Sequence, residues 1–117
     1  MAPIEDIARD FTAMLRAGQF EAAGNRYWAA NVTSIEPAGR TTASGTDAAR
    51  IRCNARFGAV KIDEICIDGP FVTGDQFALF LDVAIVDPTS GRREPFTEIA
   101  LYTVRGGQIA EERHFFD

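Results

Sequence analysis

Apolar residues follow a period of two along the last third of the chain, from Gln76 to Asp117. Residues 76–86 carry large apolar side chains on both faces of an extended strand, and two further apolar segments follow. Polar residues 87–92 and the Gly106–Gly107 pair separate these segments. Such alternation between turn residues is typical of consecutive antiparallel strands. The pattern predicts three strands joined by hairpins, and the first of them needs cover on both faces.

The beginning of the chain has helical spacing instead. Apolar residues recur at i, i+3, i+4 and i+7 over residues 3–17, which predicts an amphipathic helix that ends at Gly18. A shorter helix is predicted over residues 19–30, with Gly24 at its centre. A glycine in that place favours close packing against another element.

The middle of the chain predicts a short strand over residues 32–36, a loop over 37–45 and a third helix over 46–57. In that helix we expect the apolar face to consist of Ala48, Ile51 and Ala55. We expect Arg50, Arg52 and Arg56 to face water or the edge of the subunit. From residue 59 onward the pattern is nearly all strand, and Gly69–Pro70 predicts a bulge or bend.

The predicted order of elements is α-α-β-α-β-β-β-β. Helices grouped before strands indicate an α+β fold, here one domain over residues 1–117 with three N-terminal helices on one face of a curved antiparallel sheet. Such an arrangement leaves a cone whose mouth can hold a small apolar ligand or substrate. Because the other face of the sheet is also apolar, we expect a homodimer through that outer face.

Composition narrows the classes of function. With 46% hydrophobic and 25% charged residues and a net charge of −5, the chain resembles ordinary globular proteins and is not expected to bind nucleic acid. No apolar run approaches the ~20 residues of a membrane span, and the first residues lack signal-peptide character, so a cytoplasmic location without membrane contact is expected. Cys53 and Cys66 are expected to be reduced, buried thiols. The spacing of these cysteines and the single His predict no metal site, and we expect no cofactor.

Several short motifs occur along the chain in a fixed order. They are Gly18 followed by Phe20-Glu21-Ala22, Tyr27-Trp28, Ile35-Glu36-Pro37-Ala38-Gly39, Gly45-Thr46-Asp47, Ile67-Asp68-Gly69-Pro70, and Gly107-Gln108-Ile109-Ala110-Glu111-Glu112-Arg113. In this order and spacing the chain resembles the NTF2-like (cystatin-like) superfamily, in particular its SnoaL-like polyketide cyclase and ketosteroid isomerase branch. The resemblance implies a cone-shaped α+β domain, usually dimeric, with an apolar pocket between the helices and the concave sheet.

The resemblance also implies roles for particular positions. In the isomerases a carboxylate just before Pro-x-Gly is the general base, and Glu36 stands at that position. Their oxyanion hole consists of a tyrosine and a protonated aspartate, whose positions align with Phe11 and Ala100. Because loss of one such donor typically costs ~10²–10³ in rate, we expect little or no steroid isomerase activity.

Strand alternation and the alignment together suggest a replacement. If Ala100 faces the pocket, His114 on the next strand lies near the space left by the missing aspartate. We therefore expect an acid–base pair of Glu36 and His114, with burial beside Trp28 raising the pKa of Glu36 and Tyr102 or Tyr27 as an auxiliary donor. The expected pocket residues are Phe11, Tyr27, Trp28, Phe57, Leu81, Val83, Glu98, Ala100, Tyr102, Glu112 and Phe116.

Structural interpretations of the same residues stay open. His114 can form a purely structural pair with Glu98 or Glu112, Glu36 can point to solvent, and Tyr27 and Trp28 can be core aromatics. Three functions follow: an isomerase, cyclase or dehydratase acting on a small apolar carbonyl compound, a non-catalytic ligand-binding or association module, and an accessory subunit such as the small subunit of a ring-hydroxylating dioxygenase. Fold alone does not choose among them.

Overall fold

The computed structural model describes residues 2–57 and 60–117, and the side chains of residues 41, 42, 56 and 57 lie outside that description. The elements in chain order are α1 (Ile4–Arg16), α2 (Phe20–Tyr27), β1 (Trp28–Glu36), a 3-10 turn (Pro37–Gly39), β2 (Arg40–Ser44), α3 (Thr46–Phe57), β3 (Lys61–Thr73), β4 (Gln76–Val86), β5 (Arg93–Arg105) and β6 (Gln108–Phe115). The strands form one sheet in the order β2-β1-β6-β5-β4-β3. The predicted α+β class with three helices on a curved sheet is confirmed. None of the described helices has the length and apolar character that crossing a membrane requires.

The region around β1 differs from the prediction. The second helix ends at Tyr27, and the strand begins at Trp28 instead of residue 32. Residues 40–44, expected to be mostly loop, form the edge strand β2. Strand β1 pairs with β6 in parallel, while the other neighbouring strands pair antiparallel. This pairing brings Trp28 opposite Ile109, and burial of the Trp28 side chain against the core outweighs continuation of the helix.

The core lies between α1 and the inner face of the sheet. As predicted, alternate residues of β4 point inward, namely Phe77, Leu79, Leu81 and Val83, and each is at most 2% exposed. They pack in one cluster with apolar residues of α1 that include Ile7, Ala8, Phe11 and Leu15. Phe80, on the opposite face of β4, is 39% exposed. The sheet therefore has a buried inner face and an apolar outer face.

Helix α3 is oriented differently from the prediction. Ile51 is 68% exposed, whereas Ala49 is buried and packs in the core cluster. Arg52, expected to face solvent, has a side chain only 13% exposed. Residues 49, 52 and 53 stand at i, i+3 and i+4, which also defines one face of a helix, and α3 turns that face toward the sheet. The prediction for this helix face was wrong.

Two smaller expectations have opposite outcomes. Strand β3 has the expected bulge, because its register with β4 shifts between Asp68 and Phe71. Both cysteines are free, but Cys66 is exposed on β3 instead of buried. Cys53 is partly buried on α3. The expectation of two buried thiols was therefore wrong for Cys66, whose side of the strand faces outward.

Candidate functional site

A small, partly open cavity lies between the helices and the inner face of the sheet. Its lining residues are Phe11, Leu15, Phe20, Trp28, Arg52, Cys53, Leu81, Glu98, Tyr102, Glu112 and His114. The cavity has a volume of about 40 Å³. A single water needs roughly 10–15 Å³ by this measure, so the space holds a few waters or a group of a few heavy atoms. One wall is apolar and the other carries several ionisable side chains.

His114 lies between two buried carboxylates at this cavity. Its Nδ1 is 2.7 Å from Oε1 of Glu98, and its Nε2 is 2.9 Å from Oε2 of Glu112. All three side chains are less than a tenth exposed. We refer to Glu98, His114 and Glu112 as the carboxylate–imidazole chain. Both ring nitrogens of the histidine are therefore engaged by carboxylate oxygens.

The sheet register places these side chains. His114 on β6 lies directly opposite Ala100 on β5, in agreement with the alignment from sequence, and Glu112 lies opposite Tyr102. Alternate residues of a strand point to the same face, so Glu98 shares the inner face with Ala100 and Tyr102. Because Ala100 has only a methyl group, the imidazole has room to lie across the sheet between the two carboxylates.

Trp28 completes the polar wall. Its indole Nε1 donates a hydrogen bond to Oε1 of Glu112. The two oxygens of Glu112 therefore bind two different N–H donors, Trp28 and His114. These two contacts fix the orientation of the Glu112 carboxylate beside the imidazole.

The surroundings shift the protonation of two groups in the wall. Burial disfavours the imidazolium of His114, but hydrogen bonds to Glu112 and Glu98 and the negative charges of both outweigh it and raise the pKa of His114 above its ordinary value. Burial, followed by the charges of Glu112 and Glu98, raises the pKa of Tyr102 well above its usual range. The phenol therefore stays a neutral hydrogen-bond donor across the physiological range.

Nε2 of His114 has hydrogen-bond geometry toward Glu112, and Nδ1 of His114 lies in close contact with Glu98. Contacts of this length allow a proton to pass between the imidazole and a neighbouring carboxylate. This is the arrangement of a group that can accept and return a proton.

Glu36 lies elsewhere. It is at the end of β1 and outside the cavity lining, and it forms a buried ion pair with Arg52. The Nε of Arg52 donates to Oε1 of Glu36. The structure therefore does not place Glu36 beside His114, and what reaches the cavity is its partner, Arg52. Sequence reasoning missed Arg52, although its spacing with Ala49 and Cys53 offered a signal.

The remaining predicted pocket residues divide into groups. Phe11, Trp28, Leu81, Glu98, Tyr102 and Glu112 line the cavity. Val83 and Ala100 are buried in the core and do not reach it. Phe116 packs against Phe96, and the side chain of Phe57 lies outside the described residues.

Tyr27 is separate from the cavity and lines a surface cleft instead, where its phenol donates to Asp10. Within the described ranges, no group of three His, Cys, Asp or Glu side chains has the arrangement needed to hold a metal ion.

Comparison with known proteins defines the class. The fold is the cone shared by NTF2-like and ketosteroid isomerase-like proteins, and residues 3–116 match the model of the SnoaL-like domain, so the chain belongs to the SnoaL-like family. A proposed SnoaL-like polyketide cyclase from Mesorhizobium loti is 32% identical, with a TM-score of 0.86 over 98% of this chain and 100% of that one.

Two other solved structures show the same fold at lower identity. A proposed SnoaL-like polyketide cyclase from Jannaschia sp. CCS1 has a TM-score of 0.81 at 18% identity, over 100% of this chain and 90% of that one. An LEH-like epoxide hydrolase from M. tuberculosis has a TM-score of 0.74 at 16% identity, over 97% of this chain and 84% of that one. A search of curated proteins returned no match.

Proposed function

We propose that this protein is a cofactor-independent enzyme that moves a proton on a small, mostly apolar carbonyl compound, as an isomerase, cyclase or dehydratase. The observation that carries the proposal is the buried carboxylate–imidazole chain facing a cavity whose other wall is apolar. Perturbed ionisable groups concentrated at one cavity are characteristic of acid–base sites. The family membership and the polyketide cyclase name of its relative from Mesorhizobium loti support a carbonyl substrate.

The proposed step is proton transfer beside the carbonyl group. A carboxylate oxygen of Glu98 takes a proton from the carbon next to the carbonyl, the C–H bond breaks, and its electron pair moves onto the carbonyl oxygen as an enolate. Glu98 is assigned this role because it lines the cavity and its Oε1 lies 2.7 Å from Nδ1 of His114. The protonated Glu98, coupled to His114, then returns the proton to carbon or oxygen. Tyr102 supplies a neutral donor at the same wall.

The cavity limits the substrate. About 40 Å³ accommodates the reacting end of a molecule, and any larger remainder extends through the open side of the cavity. A steroid ring system exceeds this space, which agrees with the expectation of little or no steroid isomerisation. Short ketones, diketones and aldehydes are the compounds to test first.

The experiment measures exchange of carbon-bound hydrogen for deuterium in D₂O, by proton NMR, over a panel of short ketones and diketones. We expect the wild-type protein to accelerate exchange for at least one compound, and Glu98→Gln and His114→Gln each to lower that rate about 10²-fold or more. The matched control is Glu111→Gln on β6, whose side chain points away from the cavity and is paired with Arg113. It should keep the wild-type rate.

Wild-type exchange no faster than that of His114→Gln across the panel would refute the proposal. Binding of a panel compound without exchange would instead identify a non-catalytic ligand-binding protein, the alternative function for this fold. Parallel chemical-shift mapping of the indole N–H of Trp28, which lies in the cavity wall, reports that binding directly.

We also propose that the protein forms a homodimer through the outer face of the sheet. Phe80, Ile99 and Phe115 are paired in register across β4, β5 and β6 and form a continuous apolar row. Each is at least 39% exposed in the single chain. Apolar rows of this kind on a sheet are usually covered by another protein surface, and a second copy presents the same row.

A further inference from the structure

We propose that Arg52 binds the substrate oxygen on which negative charge develops, and that Glu36 is a positioning residue that holds the Arg52 guanidinium in place. This inference rests on the proposed function, because it assigns the electrophilic partner of the same reaction. In this proposal Glu36 acts by positioning Arg52 and is not the general base.

The first observation is where the positive charge lies. Arg52 lines the cavity from α3, whereas the carboxylate–imidazole chain lines it from β5 and β6. The charge of Arg52 also acts on Tyr102 within the cavity, where it partly opposes the rise in the pKa of that phenol. A cation on one element and a proton-accepting group on another are the two partners that enolate formation requires.

The second observation is the absence of other oxyanion donors at two positions. Phe11 and Ala100, which align with the isomerase oxyanion-hole residues, are both buried and apolar. Tyr102 supplies a neutral donor at this cavity, so a positively charged donor for a developing enolate oxygen must come from a different element. Arg52 supplies a guanidinium, a planar cation with several N–H donors.

The third observation is how Arg52 is held. Two of its nitrogens, Nε and Nη2, lie against the same oxygen of Glu36. A guanidinium has five N–H donors in a rigid plane, so this pairing fixes the plane and leaves donors for a second acceptor. The two side chains are only 13% and 12% exposed, so the pair is shielded from water. Oε2 of Glu36 is buried and has no hydrogen-bond partner among the described residues. The contact between Oε1 and Arg52 therefore orients the Glu36 carboxylate.

The charges of the reaction suggest the test. When Glu98 accepts a proton it becomes neutral, and one negative charge appears on the substrate oxygen. Glu98→Gln reproduces the neutral side chain of that state. Propionate is a small molecule whose oxygen atoms carry the negative charge that the substrate oxygen acquires. Propionamide has nearly the same shape without the charge, so the ratio of the two affinities isolates the contribution of the cation.

We expect Glu98→Gln protein to bind propionate about tenfold or more tightly than propionamide by NMR titration, the effect of one hydrogen bond to a charged group. Adding Arg52→Met should abolish that preference, and Arg52→Lys should retain part of it. Adding Arg50→Met, on the same helix, should leave the preference unchanged, because Arg50 pairs with Asp47 near the surface and does not line the cavity. No preference for propionate, or a preference that survives Arg52→Met, would overturn the inference.

The positioning role of Glu36 has its own signature. In Glu36→Gln the guanidinium loses its buried counter-charge, so propionate should bind more tightly, while exchange on the carbonyl panel should slow because the guanidinium is no longer fixed. A merely structural role would weaken both. Weaker propionate binding or unchanged exchange therefore overturns the positioning role. The ratio of propionate to propionamide affinity can be measured without turnover. If no panel compound undergoes exchange but the protein still prefers propionate, the proposed reaction is refuted and the anion-binding site is supported.

Discussion

Trp28 Nε1 donates a hydrogen bond to Glu112 Oε1 over 2.5 Å, and this contact joins the first residue of β1 to β6. The bond is buried and spans 84 positions of the chain. It leaves the second oxygen of Glu112 to bind His114. Trp28 is therefore both a wall of the cavity and the outer anchor of the carboxylate–imidazole chain.

Trp28→Phe should destabilise the protein although it keeps an aromatic ring. The change removes the only indole donor of the chain and leaves Oε1 of Glu112 buried without that partner. A hydrogen bond to a buried charged group contributes about 1.5–3 kcal/mol, so we expect a loss of that size in the free energy of unfolding. Urea denaturation followed by circular dichroism measures it.

The control for Trp28→Phe is Tyr27→Phe, at the adjacent position. The Tyr27 phenol also donates to a carboxylate, that of Asp10, but the contact lies near the surface and Arg26 shares the same oxygen. Exposed pairs contribute about 0–1 kcal/mol, so the loss should be smaller. Equal losses for the two variants would show that burial of Glu112 does not determine the size of the loss in unfolding free energy.

Gly24→Ala should also destabilise, against the helix propensity of alanine. A Cβ at Gly24 would lie 2.3 Å from Cζ2 of Trp28, far inside van der Waals contact. Alanine gains about 1 kcal/mol over glycine in a helix, but overpacking typically costs about 1–3 kcal/mol. Because the indole is held by Glu112 and cannot move freely, we expect a net loss in thermal stability.

The matched control for Gly24→Ala is Asn25→Ala, an exposed position in the same helix. It should raise stability by about 0.5 kcal/mol through propensity alone. The double variant Gly24→Ala/Trp28→Phe should lose less than the sum of the two single changes, because the smaller ring gives room to the new methyl group. Stabilisation by Gly24→Ala alone would contradict the close approach.

The strands of the last third could be predicted from the sequence because period-two alternation leaves only two choices of face. The large apolar residues of β4 decide which face is inward, and β5 and β6 follow through their hairpins. That reasoning, together with the alignment to the isomerases, predicts His114 near Ala100, and the structure pairs the two residues. It did not show that the imidazole bridges two carboxylates, because side-chain contacts depend on packing that periodicity does not specify.

Helix α3 shows why the rest could not be predicted. Its apolar residues are few, so two faces of the helix fit the pattern equally well, and Ile51 favoured the wrong one. The structure buries Arg52 instead, which is tolerable because Glu36 lies beside it. The two residues are 16 positions apart on different elements, and no local pattern reveals such a partner. The assignment of Glu36 as a base follows from the resemblance to the isomerases, and that resemblance does not indicate the pairing with Arg52.

His114 should titrate above the ordinary histidine value of 6.5. The chain has one histidine, so a single imidazole resonance in the NMR spectrum reports it without assignment. Burial alone would lower this pKa, whereas the bonds and charges of Glu112 and Glu98 raise it further than burial lowers it. Glu98→Gln or Glu112→Gln should therefore lower the midpoint, and Glu111→Gln should not. A midpoint below 6.5 in the wild-type protein would contradict stabilisation of the protonated imidazole by Glu98 and Glu112.

The sign of the corresponding stability effect follows from linkage. Because the pKa of His114 is higher in the folded than in the unfolded protein, its contribution is complete below 6.5 and is lost as pH rises through the folded-state value. The free energy of unfolding of the wild-type protein, relative to His114→Gln, should accordingly decrease from pH 6 toward alkaline pH. Urea titrations of both proteins at a series of pH values measure this difference.

Ile99→Lys should convert the proposed homodimer to a monomer. Ile99 lies at the centre of the outer apolar row, between Phe80 on β4 and Phe115 on β6, and is 49% exposed in the single chain. A lysine at the centre of a self-complementary interface places two cations in an apolar surface, which is strongly unfavourable.

The matched control is Ile51→Lys on α3, which is 68% exposed and away from the sheet. Sedimentation velocity should show the Ile51 variant at the wild-type mass and the Ile99 variant at half of it. A wild-type protein that sediments as a monomer at micromolar concentration would refute the interface.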